Sequence, residues 1–527
     1  MRKTIDWNSV SSRAVRKGIS VIGLVALAIV AQADPQVLID WKAPTKPRSK
    51  MATFSVGSDR ALIFLRDEHQ RDLLTLQKAI GFRYLRCHGL FNEEMKIVRR
   101  NPDGSLSFDW TRVDKFIDQL HAAHLKPFFE LGFIPEALAS GKQTIFYWRG
   151  NVTPPAKITE WQQLVSEFAR HIIARYGLRE ARSCYYEVWN EPNLDGFWTG
   201  GKDGYFSLYA ATAKALKSVD SGLRVGGPST AGLAWIPDFV AYCKTNVIPL
   251  DFISSHAYAA MQGFLDENGH GGGTVLDTSP ETLINGFRPS RADTPSKLPL
   301  FISEWGPSYS PRDPIHDSYV CAPFILDKVR LSEGLVDGLS YWAFSDQFEE
   351  PGPPHTPFHG GFGLLNVDGL RKPAFFAYEM LAKLYDREVK VDQPRVIATK
   401  QGKNLRIVLW DYSPFKQDAP NEPFYHRDLK PTELPPVNLE FKNLPNGTYH
   451  VKWWGTGYMR NDVYGFYSKM QGTKPDGAHL PASVLQSLEA KYQSPESLPD
   501  VVVTDGHTTL ALPMRTNDTW YVEISRK

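Results

Sequence analysis

Residues 185–192 read Tyr185-Tyr186-Glu187-Val188-Trp189-Asn190-Glu191-Pro192, and residues 300–306 read Leu300-Phe301-Ile302-Ser303-Glu304-Trp305-Gly306. Each is a short apolar and aromatic run that ends in a glutamate beside a tryptophan. Runs of this length, bounded by turn residues, read as buried strands. Six further runs of the same kind occupy 54–57, 84–90, 127–133, 224–228, 252–256 and 339–344. Between them, segments such as 161–176 and 205–219 carry apolar residues at three- and four-residue spacing, which predicts covering helices. Strand–helix alternation predicts a parallel sheet, and eight strands predict an α/β fold of the (β/α)8 barrel type over 52–390. A doubly wound open sheet is the alternative; it would want a glycine-rich phosphate loop after an early strand, and the sequence has none.

In such a barrel the chemistry gathers at the C-terminal strand ends. Polar and aromatic residues do cluster there: His88, Glu130, Asn190-Glu191, His256 with Tyr258, Glu304-Trp305, and Trp342 to Asp346.

After about residue 390 the pattern changes to short alternating segments, among them 396–399, 405–410, 437–441, 449–454, 508–512 and 520–524. These predict a C-terminal antiparallel β-sandwich over 391–527, with a tight turn at Pro445-Asn446-Gly447. Residues 34–51 are expected to join that sandwich or to link it. Segments 46–52 and 415–436, rich in proline and charge, are expected to be loops or linkers, and 263–297 a long loop beside the strand ends.

The chain has 527 residues, of which 42% are hydrophobic and 22% charged, enough apolar material for a large packed core and too little charge for disorder. A formal charge of +2 gives no strong attraction to nucleic acid or an acidic membrane, so a neutral partner is expected. Arg2, Lys3, Arg13, Arg16 and Lys17 precede an apolar run over 19–31, and Ala31-Gln32-Ala33 supplies a small-x-small cleavage site. Residues 1–33 therefore read as a signal peptide, and the mature protein is expected to be exported, periplasmic or secreted, without a membrane span. An uncleaved anchor is the alternative, but the run is shorter than the roughly 20 residues a span needs. Cys87, Cys184, Cys243 and Cys321 form no metal or CxxC pattern and are expected to be buried thiols.

Two carboxyls at strand ends suit cleavage of a glycosidic bond. That bond has no electrophilic carbonyl, so breaking it needs a proton on the leaving oxygen and negative charge opposite the developing oxocarbenium carbon. Glu191 and Glu304 are the candidates for these tasks. The competing reading of Glu191 is a helix-start acid, since Pro192 follows; the amide of Asn190, able to hold a sugar hydroxyl, and the aromatic surface of Trp189 and Trp198 favour the site reading. Glu187, earlier on the same strand, reads as a structural acid. His256 and Tyr258 alternate, so both can face one side, where either a carboxylate or a sugar hydroxyl is within reach; a satisfied core histidine is the alternative, for His256 and His88 alike. Two histidines and several acids also raise a metal site, but no HxH or HExxH motif occurs, and no catalytic metal or cofactor is expected.

With these residues in order, the chain resembles glycoside hydrolase family 39, the β-xylosidase and α-L-iduronidase family. The resemblance runs through Arg86-Cys87-His88-Gly89, Glu130 to Leu138, Glu187 to Leu194, Ser255-His256-Ala257-Tyr258, Ile302 to Gly306, Tyr341 to Asp346, Phe348-Glu349-Glu350 and Phe358 to Leu365. It implies a retaining double displacement with Glu191 as acid/base and Glu304 as nucleophile, their carboxyls roughly 5 to 5.5 Å apart. Glu191 would begin protonated, its pKa raised by burial and by the charge of Glu304. The resemblance also implies that Asn190 holds the 2-hydroxyl, and that His88, His256, Tyr258, Trp342, Glu349 and Glu350 line the sugar pocket. An iduronidase must hold a carboxylate with Lys or Arg. After His256 stand Ala257, Tyr258, Ala259 and Ala260, where the iduronidase branch resembles a basic stretch. A neutral pyranoside is expected, foremost a β-D-xyloside released from non-reducing ends of xylo-oligosaccharides. A β-galactoside, an α-L-arabinopyranoside or an exopolysaccharide is the alternative substrate, and a non-hydrolytic carbohydrate-binding protein the alternative function.

Overall fold

The computed structural model describes residues 36–261, 264–265, 271–470 and 477–527, so the expected signal peptide, residues 1–33, lies outside the described residues. Eight strands close a barrel: β1 Ser55–Arg60, β2 Tyr84–His88, β3 Lys126–Leu131, β4 Tyr185–Val188, β5 Arg224–Thr230, β6 Phe252–Tyr258, β7 Leu300–Gly306 and β8 Gly338–Tyr341. Every neighbouring pair is parallel, including β8 with β1. One helix covers each connection: α1 Asp67–Ala79, α2 Thr111–Ala122, α3 Ile158–Tyr176, α4 Gly201–Val219, α5 Ile236–Thr245, α6 Ile284–Asp293, α7 Cys321–Ser332 and α8 Pro373–Lys383. The spacing that predicted α3 is the spacing it buries: Trp161, Leu164, Val165, Phe168, Ala169 and Ile172 face inward. Trp161 also donates its indole N–H to Thr212 of α4 at 2.7 Å.

Period-two alternation fills the barrel in layers. At the bottom, Phe54, Tyr84, Phe128, Tyr185, Phe252 and Phe301 form an aromatic plug, with Phe54 stacked on Phe301 at 4.5 Å. Two residues further along their strands come Arg86, Glu130, Glu187, Ser254 and Ser303, all buried. The plug keeps water away from this polar layer from below. Each polar group must then find its partner inside the barrel.

The sandwich has a seven-stranded antiparallel sheet and a three-stranded sheet. Gln36–Asp40 pairs with Glu433–Lys442 in the smaller sheet, and Thr45–Pro47 pairs with Arg387–Val389 in the larger. The first of these pairs is parallel, against an otherwise antiparallel sandwich, and the second is antiparallel. Val37, Ile39, Leu405, Leu439 and Trp520 lie in the core between the sheets. The other face of the larger sheet presents Ile397, Val408, Trp410, Trp454 and Tyr521 to the barrel core.

Three segments expected as loops carry regular structure. Residues 46–52 include the end of Thr45–Pro47, and 415–436 hold a helix, Asn421–Tyr425, and the start of Glu433–Lys442. Phe424 and Tyr425 of that helix are buried in the barrel core, so proline and charge around it masked an apolar anchor. Residues 263–297 contain α6, the antiparallel pair Phe264–Leu265 with Gly271–Gly272, and the strand Val275–Leu276 that pairs back onto Ala260–Met261. The tight turn at 445–447 does connect two strands, Glu433–Lys442 and Gly447–Thr456. All four cysteines are buried free thiols. No helix among the described residues is long and apolar enough to cross a membrane.

Removing one ring of the plug opens a cavity with no flexible neighbour to fill it. Phe301→Ala is expected to lower the unfolding free energy by about 3–5 kcal/mol. Urea denaturation with unchanged m-value measures it.

Candidate active site

Arg86 on β2 is the hub of the polar layer, with a side chain wholly shielded from solvent. It donates Nε–H to Glu187 at 2.6 Å, Nη1–H to Glu304 at 2.7 Å and Nη2–H to Asn190 at 2.9 Å. The same Nη2 lies 2.9 Å from Glu130 Oε2. Burial opposes its charge, but Glu187, Glu130 and Glu304 outweigh that and raise its pKa, so it stays cationic. In return it pulls the Glu187 carboxyl below its usual range against the effect of burial.

Glu304 reaches this cation because β7 breaks its own alternation. Phe301 faces inward in the plug, and Ser303 faces inward to donate to Glu187 at 2.7 Å. A strict strand would turn the next residue outward. The pairing register shifts between Ser255 and His256 on the β6 side and between Ile302 and Trp305 on the β8 side. This irregularity re-aims Glu304 into the barrel. Its second oxygen accepts from the Tyr258 hydroxyl at 2.7 Å. Both oxygens are thus held by donors, which fixes the carboxylate in one orientation.

Glu191 is placed by a turn beyond β4. Trp189 and Glu191 have left-handed φ of 72° and 45°, uncommon for residues with a side chain and favoured here only by their surroundings. The Trp189 indole packs at 4.8 Å against Trp198 and donates to the Phe197 carbonyl, and the Glu191 N–H donates to the Ser229 carbonyl at 2.8 Å. Turning at Trp189 brings Asn190 to Arg86 and Glu191 to the cavity.

Glu191 Oε1 lies 2.9 Å from His256 Nδ1, and that ring nitrogen is 3.6 Å from Glu304 Oε2. One oxygen of each glutamate and one ring nitrogen of His256 all fall within 4.8 Å of one another. Three such atoms would also satisfy a metal, but both Glu304 oxygens already accept from Arg86 and Tyr258. Burial pushes the Glu191 pKa up to about 7, with Glu130 adding to it and His88 and Arg86 opposing. Burial, rather than the charge of Glu304, is thus the leading cause of that shift. Burial likewise drops His256 to about 4, so its imidazole is neutral at pH 7.

His88 bridges two acids, Nδ1 to Glu130 at 2.6 Å and Nε2 to Glu350 at 3.0 Å. Burial works against its charge, yet Glu130 and Glu350 hold its pKa well above the usual value. Burial raises Glu350 to about 8. Trp342 closes this wall, its ring 4.7 Å from His88 and 5.6 Å from the Arg86 guanidinium. Gly57 makes room for it: a Cβ there would lie 2.1 Å from the indole.

These groups open on a cavity of about 980 Å³ lined by His88, Asn190, Glu191, Tyr258, Glu304, Trp342 and Glu350 among others. Two of the expected pocket residues stand elsewhere. Glu349 points away from the cavity, held by Arg66 at 2.6 Å and Arg60 at 2.8 Å. His256 lies behind the wall, fully covered, and reaches the cavity through Glu191 and Glu304. Sequence reasoning gave no role to Arg86, Glu130 or the hairpin Thr144–Ile145/Gly150–Asn151 that carries Phe146 and Tyr147 to the cavity. Arg86 did leave a signal: an arginine inside an apolar strand, two residues before His88 and therefore on the same face.

The comparisons with known proteins agree with this geometry. The model of "Glycosyl hydrolases family 39" matches residues 35–415. The chain belongs to this family. A β-xylosidase of Caldicellulosiruptor saccharolyticus is 44% identical over 349 residues, 64% of this chain and 69% of that one. The crystal structure of the family 39 enzyme from Xanthomonas axonopodis pv. citri has a TM-score of 0.89 at 41% identity, covering 96% of this chain and 100% of that one. That of a monomeric β-xylosidase from Caulobacter crescentus CB15 has a TM-score of 0.88 at 41% identity, covering 93% and 99%. This family 39 protein is a glycosidase.

Replacing the guanidinium leaves Glu130, Glu187 and Glu304 buried without their cation. Arg86→Met is expected to cost about 3–5 kcal/mol of stability. Thermal and urea unfolding check this, and a variant as stable as the wild type contradicts the hub.

Proposed function

We propose that the protein is a retaining β-D-xylosidase in which Glu191 is the acid/base and Glu304 the nucleophile. The observation that carries this reading is the pair itself: two carboxylates with oxygens within 4.8 Å but opposite surroundings. Retaining glycosidases hold their carboxyls about 5–5.5 Å apart, whereas inverting ones leave roughly 6.5–9.5 Å for a water. Glu304 accepts from Arg86 and from Tyr258, which holds its carboxyl in one orientation. Glu191, with a pKa near 7 through burial, retains a proton to give.

In the first step Glu304 Oε attacks the anomeric carbon as Glu191 protonates the leaving oxygen. A glycosyl ester on Glu304 forms and the aglycone departs. In the second, Glu191, now ionised, takes a proton from water, which attacks the same carbon and frees the sugar. Asn190, anchored to Arg86, is placed to hold the 2-hydroxyl, and His88, Glu350 and Trp342 to meet the remaining ring.

A neutral sugar is favoured because no lysine or arginine occurs among the described residues lining the cavity, so a uronate would lack its counter-charge. The β-xylosidases at 41–44% identity support xylose within the neutral class. Export rests on residues 1–33; intact-mass analysis of protein from the periplasm or medium is expected to begin at Asp34, and retention of Met1 would overturn it.

A panel of aryl glycosides tests the rest. The β-D-xyloside is expected to be preferred, with turnover unaffected by a chelator. Glu191→Ala is expected to lower kcat/KM about 10²–10⁴-fold on leaving groups that need a proton and far less on a dinitrophenyl xyloside. Because the acid form is the active one, kcat/KM should fall as pH rises past about 7, and that limb should vanish in Glu191→Gln. Wild-type turnover by Glu304→Ala would sink the assignment. Preference for an iduronide or galactoside would replace the sugar and keep the roles.

A further inference from the structure

The cavity continues past the carboxylate pair on the side of Glu191. Leu194 and Phe197 lie on the turn that follows this acid: the Leu194 N–H donates to the Glu191 carbonyl at 3.0 Å and the Phe197 N–H to the Leu194 carbonyl at 2.9 Å. The hairpin after β3 brings Ile145, Phe146 and Tyr147 to the same wall. Phe146 meets Phe197 edge to face at 5.4 Å and stacks over His88 at 5.6 Å. The Tyr147 N–H donates to the Glu350 carbonyl at 2.8 Å, which fixes the hairpin to the loop after β8. Across the opening, Tyr309 meets Tyr258 edge-on at 6.5 Å.

Position and chemistry together identify the occupant. The acid must touch the leaving oxygen, so residues on the turn carrying Glu191 flank the leaving group. The surface there is mostly apolar, with Gln143 and Thr144 beside Ile145 as its uncharged polar side chains. Beyond His88 and the three glutamates, no described lining residue is charged. Tyr147 is 63% and Leu194 38% exposed, an apolar rim left open to water. A second sugar seated here would bring several hydroxyls against Phe146, Phe197, Leu194 and Ile145, where few polar partners replace the lost water. An aromatic ring would instead cover the open rim and gain edge-to-face contacts. At about 980 Å³ the cavity has the size of sites for drug-sized ligands, beyond what one pentose fills.

We propose that this outer chamber is a leaving-group site for an aromatic aglycone, so that the preferred substrates are phenolic glycosides rather than oligosaccharides. The proposal rests on the assignment of Glu191 as the acid, and concerns the leaving group rather than the sugar.

The test measures binding, so that leaving-group reactivity does not enter. Three S-linked, slowly cleaved probes sharing the glycone chosen by the aryl panel, or xylose if none is turned over, are titrated calorimetrically: methyl, 2-naphthyl and the thio-linked disaccharide. The naphthyl probe is expected to bind at least about tenfold tighter than each of the others. In Phe197→Ser and Tyr147→Ser, checked for folding by circular dichroism, that advantage is expected to shrink to about threefold or less. Equal binding of methyl and naphthyl probes, tighter binding of the disaccharide, or an advantage unchanged in both folded variants would overturn the proposal. If neither variant folds, the wild-type ratios decide. Absence of turnover on every aryl glycoside would count against the catalytic assignment, while the binding ratios would still decide the aromatic site.

Discussion

The Arg86 guanidinium sits at the centre of the barrel, out of reach of water, and touches Glu130, Glu187, Glu304 and the Asn190 amide at once. Without it the three carboxyls would be buried with no cation beside them, and Glu304 would lose one of the two donors that orient it. The aromatic plug beneath it makes the arrangement possible by excluding water, and the same exclusion makes the cation indispensable. Several other placements in the site depend on this contact. Asn190 is oriented by it, Glu187 carries Ser303 into line, and Glu130 is left to hold His88.

One consequence is a separation of two chemically identical side chains. Glu304 meets a cation and a phenol, whereas Glu191 meets a neutral imidazole and apolar surroundings. The roles proposed for the two therefore rest on their neighbours, a few ångströms apart. Glu350 and His88 repeat the pattern on the opposite wall, one raised by burial and the other held cationic by two acids.

The barrel was legible because its code is periodic: apolar runs of strand length and stripes of helical spacing appear where β1 to β8 and the covering helices lie. The two glutamates were legible because they end such runs. How they point was not. Glu304 faces inward only through a shift in strand pairing, and Glu191 only through left-handed residues that no propensity predicts. Glu349 and Glu350 are adjacent and of one type, so only the positions of Arg60 and Arg66, far away in sequence, tell them apart. The hairpin with Phe146 and Tyr147 was hidden for a different reason, since two-residue strands leave almost no pattern.

The pairing of Gln36 with Asn438 also constrains the order in which the molecule assembles. A ribosome releases the first strand of the sandwich long before its partner exists, while all eight barrel strands emerge in between. The barrel can close on local strand–helix contacts, but the small sheet must wait for the last third of the chain and for the entropy loss of a very long loop closure. Completion of the small sheet thus joins a strand that precedes the barrel to one that follows it.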